Sequence, residues 1–237
     1  MPTPSHTLPL PHVRPDRPLT SAIVAFLVVY GVVVAASGWV SDILPPTARD
    51  LAVLTGVAVT AAAGVWVFRD AFAAGWDQTT ARPLHTLGLV AAGIVASTAV
   101  AVGTVLLLAV TGHTPTGLHT TGIVPVRDGA PLLTMILIGI VGPIVEELVF
   151  RETALARLGR RISPVLALVA SSLLFGALHV RGVDDLPLLL DTATAGMVLG
   201  AFFLLARRNI VVPLTIHVLW SVASIVVWTR MAPPPLA

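Results

Sequence analysis

The sequence predicts an all-α protein: a polytopic transmembrane helix bundle of about seven spans, with six to eight compatible with the pattern. Three observations lead there. Of the 237 residues, 56% are hydrophobic and 11% are charged, whereas a soluble domain carries roughly a quarter charged residues. The mean hydropathy is +0.92. Apolar runs recur at the length of about 20 residues that a helix needs to cross a bilayer.

The elements follow in order. Residues 1–18 hold Pro2, Pro4, Pro9, Pro11, Pro15 and Pro18; that density prevents a regular helix and predicts an extended, solvated tail. Apolar runs then occupy 19–40, 51–68, 86–111, 131–156, 163–180, 186–206 and 210–229. The first is too long for a signal-peptide core, and no clear small-residue cleavage site follows it. The longest connections, 69–85 and 112–130, read as loops too short to fold alone, so 19–230 is one domain. Ser163 and Pro164 open the fifth run as N-cap and first helical residue. In the sixth, Pro187 and Asp191 suggest a short re-entrant piece followed by a helix from Thr192, with Asp191 as its N-cap. Gly196 and Gly200, four apart, predict close helix packing. Residues 231–237, with Pro233, Pro234 and Pro235, form a second tail.

All 14 basic residues are Arg. With the N-terminus in the cytoplasm, Arg14, Arg17, Arg69, Arg82, Arg157, Arg160, Arg161, Arg207 and Arg208 lie inside. Arg49, Arg127, Arg181 and Arg230 lie outside, so the positive-inside rule favours that orientation in the cell membrane. No arginine cluster forms a nucleic-acid patch; the expected partners are membrane lipid and a membrane-associated peptide or protein. With no Cys, disulfides, thiol nucleophiles and cysteine metal sites are excluded. Arginine without lysine, beside abundant Ala, Val, Gly and Pro, suggests a GC-rich coding sequence and a bacterial source.

Ionisable groups at bilayer depth cost about 2.5–3.5 kcal/mol each on the insertion scale, so each asks for a reason. Five stand out: Glu146, Glu147, Arg151, His179 and His217. Glu147 and Arg151 are four apart and can neutralise each other on one helix face. Glu146 is turned about 100° away and can face a cavity. Phe175 and His179 share one face of the next helix, and His217 and Ser221 share one face of the last. Ile162–Ser163 is midway between Glu146 and His179, so both lie roughly 24 Å from the helix turn and can face each other. Gly142–Pro143 bends the helix ahead of the glutamates, either opening a watered cavity or as an ordinary kink.

A carboxylate and an imidazole at one depth can hold and activate a water, and a second histidine can donate to a developing oxyanion. Glu146, His179 and His217 in those roles make a peptide-bond hydrolase that needs no cofactor. The same three could instead bind one divalent metal such as zinc with an open position, although the H-E-x-x-H signature is absent. The blander readings are a buried ion network for Glu146, Glu147 and Arg151 and helix–helix hydrogen bonds for the histidines.

The stretch Glu146-Glu147-Leu-Val-Phe-Arg151 resembles an E-E-x-x-x-R motif, and Phe175-Gly-Ala-Leu-His179 an F-x-x-x-H motif. Arg208-Asn209-Ile-Val-Val-Pro213-Leu-Thr-Ile-His217 resembles the segment leading to a last histidine. Together they resemble the CPBP family: type 2 CAAX prenyl proteases, bacteriocin-processing enzymes and abortive-infection proteins. The resemblance covers roughly 143–221. It implies an intramembrane endopeptidase, glutamate- or metal-dependent, in which Glu146 and His179 activate water and His217 stabilises the oxyanion. Glu147, Arg151, Phe175 and Ser221 would support them. The family usually has Asn or Asp four residues after the last histidine; Ser221 offers a shorter, single donor there. Two other functions fit the same residues: a non-catalytic immunity or scaffold protein binding through this cavity, and a proton-coupled transporter. The transporter lacks the expected paired repeats.

Overall fold

The computed structural model describes residues 20–112, 135–180 and 186–231; the tails at 1–18 and 232–237 and the connection at 113–130 lie outside them. The described chain is helical, with no strand among the described residues. Eight helices follow one another: α1 (Ser21–Ile43), α2 (Pro46–Val67), α3 (Arg69–Ala81), α4 (Pro83–Val110), α5 (137–158), α6 (Pro164–Ala177), α7 (Leu186–Leu205) and α8 (Val211–Met231). Two of them, α4 and the Pro187–Leu205 part of α7, are long and apolar enough to cross a membrane alone. The bent α2–α3 pair makes a third if counted as one span. On α4 the outward side chains are mostly apolar, with Leu84 83% and Val95 68% exposed, as lipid-facing surfaces require.

Two sequence expectations are corrected. The connection predicted as a loop at 69–85 is mostly the helix α3, set at 69° to α2. The break falls on Phe68, which leaves helical geometry (φ −103°, ψ 16°) while its ring is buried edge-on to Phe26, 5.5 Å away. Arg69 holds the corner from outside: its Nη1 donates to the Trp66 carbonyl at 3.0 Å, and its guanidinium lies 5.4 Å from the Trp66 ring. The second correction concerns Asp191. It is an interior residue of α7, which runs through it from Leu186. Thr192 and Thr194 donate back to the carbonyls of Leu188 (2.6 Å) and Leu190 (2.7 Å), as hydroxyls do inside a helix and not at its start. At α6 the sequence reading and the structure agree: Ser163 is the N-cap, accepting from Leu166 N at 3.2 Å, and Pro164 follows at the first position.

α5 runs through the middle of the bundle, against α2, α6 and α8. Its helix is α-type over Gly142–Glu147 but π-type over Leu137–Val141 and Leu148–Leu155. Pro143 has no N–H to give; the Gly142 N–H reaches back five residues to the Leu137 carbonyl. Both residues that flank this turn keep right-handed helical angles, so the helix continues. The carbonyls loosened by the second π segment find hydroxyls: Thr153 donates to Leu148 O (2.9 Å), and Ser171 of α6 donates to Phe150 O (2.8 Å). α7 lies close on α6 because a Cβ at Gly196 would meet Phe175 and the Ser172 backbone at 3.2–3.3 Å, and one at Gly200 would overlap Leu168. That is the close packing expected of this pair.

The turn into α8 is tied down by one side chain. Arg207 and Arg208 are left-handed (φ 57° and 63°), a conformation costing a non-glycine residue roughly 1–2 kcal/mol. Asn209 follows, 3% exposed. Its Nδ2 donates to Gly75 O (3.0 Å) and Thr79 Oγ1 (3.1 Å) on α3, and its Oδ1 accepts from Val211 N (3.0 Å) at the start of α8. These three bonds, one buried and two partly buried, contribute about 2–3 kcal/mol in total. Asn209→Ala should lower the unfolding free energy in detergent by that amount; an unchanged midpoint would show that the turn holds without it.

Candidate active site

The deepest element of the site is an ion pair. Glu147 and Arg151, four residues apart on α5, are each 1% exposed, with Arg151 Nε 3.2 Å from Glu147 Oε2. The approach is close but not aligned as a hydrogen bond, and Arg151 Nη1 also lacks a hydrogen-bond partner. The guanidinium is held in two further ways. Its Nη2 donates to the Gly196 carbonyl of α7 at 3.3 Å, and its plane sits 4.8 Å from the Phe175 ring of α6.

Glu147 does more than the sequence reading gave it. Its second oxygen, Oε1, lies 2.9 Å from His217 Nδ1. The carboxylate therefore joins the Arg151 cation to the histidine of α8. With Glu147 as the acceptor, Nδ1 carries the proton and Nε2 faces away from Glu147. His179 is fixed in the same way. It stands just past the end of α6, where helix carbonyls lack partners, and its Nδ1 donates to the Phe175 carbonyl at 2.8 Å. Its Nε2 is thereby also turned outward.

Both outward nitrogens converge on Glu146. His179 Nε2 is 3.9 Å from Glu146 Oε1, and His217 Nε2 is 3.6 Å from Glu146 Oε2. These gaps are too long for direct hydrogen bonds and fit groups that share a third partner. Exposure rises outward from the ion pair: 12% for His217, 23% for Glu146 and 34% for His179. The site therefore opens on the side of His179 and Glu146 and is closed at Glu147 and Arg151. Phe175 forms one wall, its ring 4.8 Å from His179, 6.1 Å from His217 and 5.1 Å from Phe150.

Of the residues singled out in the sequence, the structure thus brings Glu146, Glu147, Arg151, Phe175, His179 and His217 together. Ser221 is different: among the described residues no hydrogen bond joins it to the others. Two imidazole nitrogens and a carboxylate are the donor types of a catalytic zinc site, and each histidine has its other nitrogen anchored as metal ligands usually do. As placed, however, Glu146, His179 and His217 do not form a group able to hold a metal ion, nor do any other described residues.

The sequence reading missed the Gly196 carbonyl, which no residue type could have signalled. It also passed over Tyr30, whose ring meets Phe150 edge-on with centroids 6.5 Å apart; a lone phenol in an apolar helix was an available signal. Arg151→Met should destabilise the protein by about 3–5 kcal/mol, because it strands a buried carboxylate. Adding Glu147→Gln should recover part of that loss in the unfolding midpoint. Equal stability of wild type and Arg151→Met would show that the pair contributes nothing to the fold.

Residues 128–223 match a family model described as type II CAAX prenyl endopeptidase, Rce1-like. No curated protein matches the chain, and no solved structure does. The matched stretch contains every residue placed in the site so far and leaves out α1 to α4.

Proposed function

We propose, from the match of residues 128–223 to the type II CAAX prenyl endopeptidase model, that the chain is an intramembrane protease of the CPBP family, an endopeptidase cleaving membrane-associated substrates with Glu146 as its general base. The observation that carries the proposal is the position of the Glu146 carboxylate between two outward Nε2 atoms, at 3.6 and 3.9 Å. A water held there can be oriented by His179 and give a proton to Glu146. Its oxygen then bonds to the substrate carbonyl carbon. The carbonyl electrons move onto the oxygen, which His217 stabilises by donating from Nε2. Collapse breaks the C–N bond, and Glu146 passes its proton to the leaving amine.

This sequence sets a proton count. His217 already donates from Nδ1 to Glu147, so donating from Nε2 as well requires both ring protons. A cationic His217 is then flanked by Glu146 and Glu147, and with Arg151 the four charges sum to zero. The neutral cluster supports the reading, since a net charge in a low-dielectric site is costly. No step of this hydrolysis needs a metal. Purified protein should therefore cleave membrane peptides equally with and without chelator. Glu146→Gln should abolish cleavage, and His217→Ala should lower kcat by about 10²–10³-fold, the usual loss for one oxyanion donor. Full activity of Glu146→Gln would overturn the proposal, and loss of activity in chelator would replace the glutamate mechanism by a metal one.

One observation favours a second reading. Among the described residues no hydrogen bond joins Ser221 to the site, as expected of a binding protein that does not cleave; such a protein would keep its cellular phenotype with Glu146→Gln. We also propose a cytoplasmic N-terminus, supported by nine arginines against four. Because the chain has no cysteine, a single Ser5→Cys should be labelled by a membrane-impermeant thiol reagent only in inside-out vesicles. Labelling in right-side-out vesicles would reverse the orientation.

A further inference from the structure

The turn from α5 into α6 carries Arg160 and Arg161, and the turn from α7 into α8 carries Arg207 and Arg208. The two turns meet: a Cβ placed on Gly159 would lie 4.0 Å from Arg208 Nη2. Asn209 fastens the second turn to Gly75 and Thr79 of α3. Because α3 is set at 69° to α2, it crosses this end of the bundle and does not lengthen the span. It turns Ala71 and Gly75 inward and leaves Arg69, Asp70, Trp76 and Asp77 exposed, with Arg82 exposed just after it. Six arginines on these three segments thus stand against two exposed aspartates, while the half-buried Arg157 and Glu152 offset each other in charge. Among the described residues, Arg82, Arg161, Arg207 and Arg208 make no ion pair. Arg207 and Arg208 are moreover consecutive left-handed residues, where glycine would fit without strain. The backbone gives no reason for arginine there, so the counter-charge lies outside the described residues. Two indoles mark the same end. Trp66 and Trp76 are 65% and 62% exposed, as rings at a membrane interface are, and the Arg69 guanidinium lies over the Trp66 ring.

We propose that this end of the bundle is a docking face for anionic phospholipid headgroups, with α3 lying in the membrane interface and the two turns supplying the arginines. A headgroup phosphate accepts two parallel N–H bonds from one guanidinium, and arginines beside an anionic leaflet are drawn to it. A free phosphate could meet the same guanidiniums. It would leave the two indoles in water, whereas a lipid offers an apolar boundary directly beside the charge. None of these residues belongs to the Glu146 site, so the inference stands apart from the peptidase reading. Its link to that site is the turn itself: the residues that would hold the headgroup start α8, the helix that carries His217.

Two measurements on the full-length protein test this. The first follows the unfolding midpoint in detergent micelles carrying phosphatidylglycerol, phosphatidylcholine or inorganic phosphate. Phosphatidylglycerol should raise the midpoint, and the other two should leave it near its value in detergent alone. Combining Arg161→Gln, Arg207→Asn and Arg208→Asn should remove most of the rise; asparagine tolerates the left-handed backbone, so the turn keeps its shape. Arg161→Gln alone, outside the left-handed pair, should remove part of it and serves if the triple variant does not fold. No rise with phosphatidylglycerol, an equal rise with phosphatidylcholine or with inorganic phosphate, or a full rise in the variants would overturn the headgroup face. The second measurement uses vesicles of both lipids with bromine either near the headgroups or at the chain ends. The fluorescence that disappears in the double variant Trp66→Phe, Trp76→Phe should be quenched more by the shallow bromine than by the deep. Stronger quenching by the deep bromine, or quenching by aqueous iodide and by neither lipid, would overturn the interfacial placement of α3.

Discussion

A guanidinium 1% exposed to solvent is the constraint on which the rest of this structure turns. Arg151 cannot remain buried as a lone cation. Its neutralisation requires Glu147 on its own helix, an acceptor carbonyl at Gly196 on α7 and an aromatic face at Phe175 on α6. One charge therefore fixes three helices relative to each other. Glu147 extends the arrangement to a fourth, because its other oxygen binds His217 on α8. What resembles a structural ion pair in the sequence is also the anchor of a site histidine.

The two histidines are oriented by different means toward the same end. Each engages Nδ1, His217 with a carboxylate and His179 with the open carbonyl at the end of its own helix. Each thereby aims Nε2 at Glu146. Pinning one nitrogen sets the chemistry available at the other. The exposure gradient completes the design: the charges that organise the site are sealed from solvent, while the groups able to meet a substrate lie nearer the opening.

The irregular backbone serves this placement. The π turns of α5 accommodate Pro143 and release carbonyls that Thr153 and Ser171 take up, and the second of these bonds sews α6 to α5 beside the site. Interrupted helices of this kind are often found at functional positions. At the far end, the strained turn at Arg207 and Arg208 starts α8 in the direction that carries His217 inward, and Asn209 secures it to α3.

Composition and run length by themselves determined the helical, apolar character of the chain, since a bilayer imposes both on any spanning segment. Sequence spacing also determined the Ser163 cap, the close contact at Gly196 and Gly200, and the Glu147–Arg151 pairing, because each depends on neighbours within a turn or on a missing side chain. The rest was decided by tertiary packing. The corner at Phe68 exists because its ring is buried against Phe26, and α7 continues through Asp191, where local propensity favoured a cap. The bond from Glu147 to His217 spans 70 positions, and no local period encodes it. Nor could spacing bring Tyr30 on α1 to Phe150, since only the packing of the first helices onto α5 closes that distance.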